Sequence, residues 1–190
     1  MRAQVVVGFA NELHKPSVLD PVVVGSPSRK KINLTLLIKY QFSAIHVDAG
    51  EIAAIVGAEW ESRGIDADTG SVDVEALAQT VAQKYHALVM LSGAIDYVSD
   101  GVNLLKNEQS EPMLTVNVGS GDILSSTLGA CLAVSSDSCS AGIVTARILT
   151  CARAKAVQYS HSLGSWMVWF FDELTTIDSA AIQEGYNNDQ

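Results

Sequence analysis

Positive charge is scarce in this sequence: 12 Lys and Arg stand against 21 Asp and Glu, a formal net charge of −9. A nucleic-acid-binding surface needs basic residues to displace counterions from phosphates, and this balance excludes one. Any anionic ligand must be held locally, by backbone N–H groups, a metal ion or a few placed cations. The one dense basic cluster is Arg29-Lys30-Lys31. Cysteine is sparse too. Cys131, Cys139 and Cys151 are odd in number and lack CxxC spacing, so a disulfide framework or zinc site is not expected. We read them as small buried hydrophobes. Long apolar runs are missing: the longest, Ile123 to Val134, is interrupted by Ser125, Ser126 and Thr127 and is too short for a bilayer. The N-terminus has no apolar signal core, so a cytoplasmic protein with no membrane partner is expected.

What is present reads as one globular α/β domain over residues 1–190, with 48% hydrophobic and only 17% charged residues. Val6, Phe9, Ala10 and Leu13 carry helical spacing over 3–13, and Pro16 stops that helix. Ser17-Val18-Leu19 reads as a short strand, 32–39 as helix, 44–47 as strand and 51–56 as a helix start. Residues 57–72 read as a loop. Val74, Leu77, Ala78, Val81, Ala82 and Tyr85 form an amphipathic stripe, followed by a strand over 87–91. Residues 96–99 and 102–105 flank Asp100-Gly101 as a hairpin. Residues 114–118 read as extended up to Gly119, then come helices around 123–132, 139–158 and 165–176. The last dozen residues look frayed. Strands alternating with helices predict a mostly parallel sheet covered by helices. There is no internal repeat and no dividing linker. The chain opens in a helix, and three or four parallel strands are few for so many apolar helices. The beginning of the fold is therefore expected to be absent, and the stability marginal.

Four segments follow predicted strands and carry chemistry. Gly119-Ser120-Gly121-Asp122 leads into an apolar-periodic helix. Its glycines let backbone approach an anion, its helix N-terminus aims N–H groups at one, and Asp122 is placed to take a proton from a hydroxyl attacking phosphorus. It could equally be a strand-to-helix turn with Asp122 as a capping charge. Asp20-Pro21 lies where open α/β sheets bind ligands, or is a simple turn opener. Asp48-Ala49-Gly50-Glu51 could hold magnesium through water, or be a capping box. Ser92-Gly93 could bond a phosphate or make a turn. His14, His46, His86 and His161 show no ligand spacing, and none is assigned a role. Trp166, Trp169, Phe170 and Phe171 lie in a helix whose apolar face is expected to pack in the core, with a subunit contact as the alternative.

The order of these motifs resembles the hydroxyethylthiazole kinase family of the ribokinase-like superfamily, from about residue 10 to residue 175. The anchors are Val18 to Gly25, Asp48 to Ala54, Ser92-Gly93 with Asp96 to Gly101, Gly119 to Asp122, and Leu163 to Trp166. The resemblance implies a ribokinase-like fold truncated at its N-terminus and transfer of the γ-phosphate of ATP, with magnesium, to the primary alcohol of hydroxyethylthiazole in thiamine salvage. It implies Asp20 and Glu51 on magnesium and phosphates, Arg29 or Lys30 and Ser92 on ATP, Gly119 and Gly121 as an anion hole, Asp122 as base, and a homotrimer.

Three departures from the family pattern matter. Asp122 stands where the family commonly has Cys, and an ionised carboxylate is the better proton acceptor at neutral pH. Asp48 stands where the family has Asn, which adds negative charge near incoming phosphate. Roughly the first third of the family's chain has no counterpart here. Two other expectations remain open: a ribokinase-like kinase for another small alcohol, and a truncated, inactive pseudoenzyme.

Overall fold

The computed structural model describes residues 2–57, 73–108 and 119–187. Among them are eight helices and five strands. In chain order these are α1 (Arg2–Glu12), β1 (Val18–Leu19), α2 (Pro27–Lys39), β2 (Ala44–Val47), α3 (Ala49–Val56), α4 (Val74–Tyr85), β3 (Leu88–Leu91), β4 (Asp96–Ser99), β5 (Leu104–Asn107), α5 (Ser120–Val134), α6 (Ser138–Tyr159), α7 (Leu163–Leu174) and α8 (Ser179–Asn187). The predicted loop over 58–72 and the predicted extended segment over 114–118 lie outside the described residues.

The strands form one sheet in the order β1-β2-β3-β4-β5. β1, β2 and β3 run parallel, with Val18 opposite Ala44 and Ala44 opposite Leu88. β4 and β5 add antiparallel, so the hairpin extends the parallel core into a mixed sheet. Its second strand starts two residues later than predicted. The reason is local: the Asp100 carboxylate accepts from the backbone N–H groups of Val102 and Asn103, which keeps those residues in the turn. Gly101 turns there with φ 92°, and a Cβ at that position would meet the Gln83 backbone N at 3.0 Å.

Both faces of the sheet are covered, as a parallel βαβ core requires. Ile45, Val47, Val89 and Leu91 pack with Leu36, Leu37, Ile52, Ile55, Ala78 and Val81 from α2, α3 and α4. Ala44, Leu88, Met90 and Val98 pack with Leu124, Leu128, Ala146, Leu149, Trp166 and Phe170 from α5, α6 and α7. This two-residue alternation decides which side chains at the strand ends face α5.

The aromatic helix α7 splits its residues. Trp166 and Phe170, one turn apart, are fully buried and stacked with centroids 5.2 Å apart. Each contributes about 1.5–3 kcal/mol by its burial. Trp169 and Phe171 point the other way and are exposed, so the core-facing side of this helix carries two of its four aromatic residues. Val5, Val6 and Phe9 of α1, and Leu13 just after it, are exposed as well. The chain's end also departs from expectation. Residues read as frayed form α8, because Asp178 caps it by accepting from the Ala181 N–H at 2.9 Å.

Candidate active site

In the register of the parallel strands, Asp20 follows β1 and lies beside His46 of β2. Both are on the face that α5 covers. Ser92, two residues beyond Met90 on β3, shares that face. Antiparallel pairing then brings Asp96 to the same edge, since Leu91 lies opposite Tyr97. A polar band thus crosses the carboxyl edge of a sheet whose strand interiors are almost wholly apolar.

The band is hydrogen-bonded throughout. His46 is 5% exposed, with Nδ1 2.8 Å from the Ser125 hydroxyl and 3.3 Å from Asp20 Oδ2. Its Nε2 lies 3.0 Å from the Ser92 hydroxyl. Ser125, on α5, donates to Asp20 Oδ2 at 3.0 Å. Further along, Asp96 accepts from the Gly93 N–H and from the Asn107 amide, which also meets Thr150 of α6. Asp96 thereby shapes the turn after β3.

α5 meets this edge with its first turn. Its N-cap is Gly119, at φ 97° and without a side-chain cap. Gly121 lies against the band: a Cβ there would sit 3.5 Å from His46 Cε1 and 3.8 Å from Asp20 Oδ2. Gly121 and Ser125 are one helical turn apart, so both face the sheet. Asp122 is rotated away by one residue and is exposed. It has no hydrogen-bond or ion-pair partner among the described residues.

Glu51 plays a structural part alongside any ligand role. Its carboxylate accepts from the Val23 N–H at 3.2 Å and from the Asp48 N–H at 3.1 Å. Asp48 in turn accepts from the Glu51 N–H at 2.7 Å, so the capping box is formed. Val23, in the left-handed region at φ 60°, is thereby tethered to α3. Arg29 and Lys30 lie in the first turn of α2, Arg29 exposed and Lys30 half-buried. Neither touches the polar band.

Charge state follows these contacts. Burial opposes ionisation of Asp20, but its contacts with His46 and the Ser125 hydroxyl outweigh it and lower the pKa. Glu51 is shifted up. Burial is the main cause, and the charges of Asp48 and Asp20 add to it against the two backbone hydrogen bonds. Two carboxylates that repel each other at a strand edge suit a divalent cation. Magnesium keeps several waters and takes one or two protein carboxylates beside substrate phosphates, which Asp20 and Glu51 fit. No cluster of three or more His, Cys, Asp or Glu capable of enclosing a metal occurs among the described residues.

The structure therefore brings Asp20, Ser92 and Gly121 together, places Glu51 within electrostatic reach of Asp20, and leaves Arg29 and Asp122 exposed and Lys30 half-buried at two helix starts. Sequence reasoning missed His46 and Ser125. One signal was available: His46 is the only polar residue in an otherwise apolar strand, Ala44–Val47. A separate groove of about 440 Å³, lined by Asn11, His14, Lys15 and Gln41 among others, opens at the amino ends of β1 and β2. It holds none of these carboxylates. No helix of the described residues is long and apolar enough to cross a membrane.

Residues 2–180 match the model of the hydroxyethylthiazole kinase family. A hydroxyethylthiazole kinase from Pediococcus pentosaceus is 40% identical over 179 residues, covering 92% of this chain and 68% of that protein. One from Limosilactobacillus reuteri is 42% identical over 177 residues, covering 93% of this chain and 65% of the relative. The solved structure of the hydroxyethylthiazole kinase protein from Pyrococcus horikoshii OT3 superposes with a TM-score of 0.81 at 28% identity, over 93% of this chain and 66% of that one. The pyridoxal kinase of Bacillus subtilis, at TM-score 0.57 and 19% identity over 79% of this chain and 58% of its own, shares the fold alone. The α/β fold is thus the ribokinase-like one. The chain spans about two thirds of the length of the hydroxyethylthiazole kinases it matches.

Proposed function

The chain belongs to the hydroxyethylthiazole kinase family, and we propose that it transfers the γ-phosphate of ATP to the primary alcohol of hydroxyethylthiazole, a thiamine-salvage step. The observation that carries this reading is the meeting of the Gly119–Asp122 helix start with Asp20 and Ser92 at one sheet edge. Phosphoryl transfer asks little covalent chemistry of a protein; it needs positioning and charge stabilisation, and these are the parts assembled here.

In this scheme the alcohol oxygen attacks the γ-phosphorus, the bond from that phosphorus to the ADP oxygen breaks, and the hydroxyl proton passes to Asp122. An exposed carboxylate in the first turn of α5 is open to a substrate hydroxyl, whereas Asp20 is occupied by Ser125 and His46. Gly119 and Gly121 bring backbone N–H groups to the transferring phosphoryl group. Asp20 and Glu51 would hold magnesium, which supplies charge neutralisation of the phosphates. Ser92 and either Arg29 or Lys30 would contact the nucleotide. A cytoplasmic homotrimer completes the proposal.

The test is phosphorylation of hydroxyethylthiazole by this chain with magnesium-ATP, beside an Asp122→Ala variant. Turnover that is lost in the variant supports the assignment. Turnover of a different small alcohol in preference would shift it to another ribokinase-like kinase, an outcome for which Asp122 in place of the family's usual Cys gives a reason. A folded chain that phosphorylates nothing would leave the pseudoenzyme.

A further inference from the structure

Asp20 and the first turn of α5 belong to different layers of the fold, and no backbone ladder ties them. The hydrogen bonds that join Asp20 to α5 among the described residues run through His46 and Ser125. Their direction follows from what each group is able to donate. An ionised carboxylate only accepts, so the Ser125 O–H must point to Asp20 Oδ2, at 3.0 Å. The Ser125 oxygen is then left as an acceptor, and the ring nitrogen 2.8 Å away must be Nδ1–H. In a neutral ring Nε2 then carries no proton and accepts from the Ser92 O–H at 3.0 Å. The result is a one-way chain, Ser92 to His46 to Ser125 to Asp20, in which every donor points toward the carboxylate.

We infer that His46 is a positioning residue of the phosphoryl-transfer site, holding Asp20, Ser92 and the Gly119–Gly121 turn in one geometry through the Nδ1–H tautomer and Ser125. This rests on the kinase function proposed above. Three features favour it over a polar residue merely filling the core. His46 lies on the middle one of the three parallel strands and reaches side chains from both neighbours, Asp20 after β1 and Ser92 after β3. Its Cε1 is the surface that Gly121 faces, at 3.5 Å from where a Cβ would stand. Finally, the residues it joins are those with proposed contacts to phosphate and metal, while the rest of its strand is apolar. A buried ring satisfied on both nitrogens is costly to rotate, because each nitrogen would lose its partner. It therefore holds the site rigidly, as positioning at a reactive phosphate demands.

The test uses Ser125→Ala and His46→Gln in the full chain. Alanine suits a helix interior, so Ser125→Ala keeps α5 while cutting the chain at one hydroxyl. Losing a hydrogen bond to a charged group predicts a fall in kcat of about tenfold to a hundredfold. We also expect weaker magnesium-ATP binding by calorimetry, a KM for the alcohol within about twofold, and little change in melting temperature. His46→Gln, which keeps one donor and one acceptor, should recover part of what His46→Leu loses. Independently of any ligand, ¹⁵N correlation spectra in mildly alkaline buffer should show His46 protonated at Nδ1, and Ser125→Ala should release that preference. A wild-type chain without thiazole turnover sinks the substrate assignment alone, since tautomer and magnesium-ATP affinity are read without turnover. His46 protonated at Nε2, or Ser125→Ala with unchanged magnesium-ATP affinity and turnover, overturns the inference. A folded wild-type chain that binds no magnesium-ATP overturns both.

Discussion

Two helices begin at the carboxyl edge of this sheet, and they begin differently. α3 is closed by its own residues: Asp48 caps the Glu51 N–H and Glu51 reaches back to the Asp48 N–H. α5 starts at a glycine with φ 97° and has no side-chain cap. Three other helices are also closed by an aspartate, Asp73 on α4, Asp137 on α6 and Asp178 on α8. A carboxylate that satisfies the helix start occupies the place where an anion would bind. α3 therefore anchors the loop after β1 through Glu51 and Val23, and the start of α5 carries no side-chain cap, as the proposed anion site needs. The contrast turns on a single residue at each N-cap, Asp48 against Gly119.

The largest effect should come at the open helix. Asp122→Ala is expected to lower kcat by about 10²–10⁴-fold, the usual contribution of a positioned base, in a protein that melts as the wild type does. Equal loss of melting temperature and activity would return Asp122 to a capping role. At the closed helix the effect should be on stability instead. Asp48→Ala removes the capping box and should cost about 1 kcal/mol in denaturant unfolding. It should also loosen Val23, visible as faster amide exchange there.

Gly119→Ala sharpens the contrast between the two N-caps. No atom of the described residues lies within 4 Å of a Cβ at this position, so among them only the left-handed backbone is penalised, by roughly 1 kcal/mol. If α5 is an anion site, magnesium-ATP affinity should fall more than stability does. Loss of stability alone would remove that distinction from α3.

The smallest effect is electrostatic. Folding lowers the Asp20 pKa from its ordinary 3.8. The stability this contributes is present above 3.8 and is lost as pH falls through the lower, folded value. Asp20→Asn should flatten the acid limb of the melting-temperature profile in that window. Glu51 runs the other way. Its pKa is raised from 4.5, so its contribution is full below 4.5 and declines as pH rises through the folded value. A wild-type acid limb indistinguishable from that of Asp20→Asn would show that Asp20 is not coupled to His46 and Ser125.

The elements were largely legible because each announced itself locally. The α4 stripe, the strand at 44–47 and the Asp100-Gly101 hairpin carry their period or turn chemistry within a few residues. At Asp48 and Glu51, where the local signal had two meanings, the structure shows the capping box, which leaves a ligand role for Glu51 as a proposal. α8 was missed because it is a short, mostly polar segment close to the end of the sequence, and the cap that starts it is the single residue Asp178. The split of α7 into buried Trp166 and Phe170 and exposed Trp169 and Phe171 needed the direction of the sheet as a reference.

By itself, the sequence determined the family, the alternation of strands and helices, and the candidate residues at Asp20, Glu51, Ser92 and Gly119 to Asp122. These depend on residue type and short spacing, which chain order preserves. Only the tertiary structure decided that His46 and Ser125, 79 residues apart, meet between Asp20 and Ser92. That meeting is a product of parallel register and of which face of β2 looks at α5. A one-residue slip in the register would turn His46 into the opposite layer, among Ile52 and Val81, with no partner for either nitrogen.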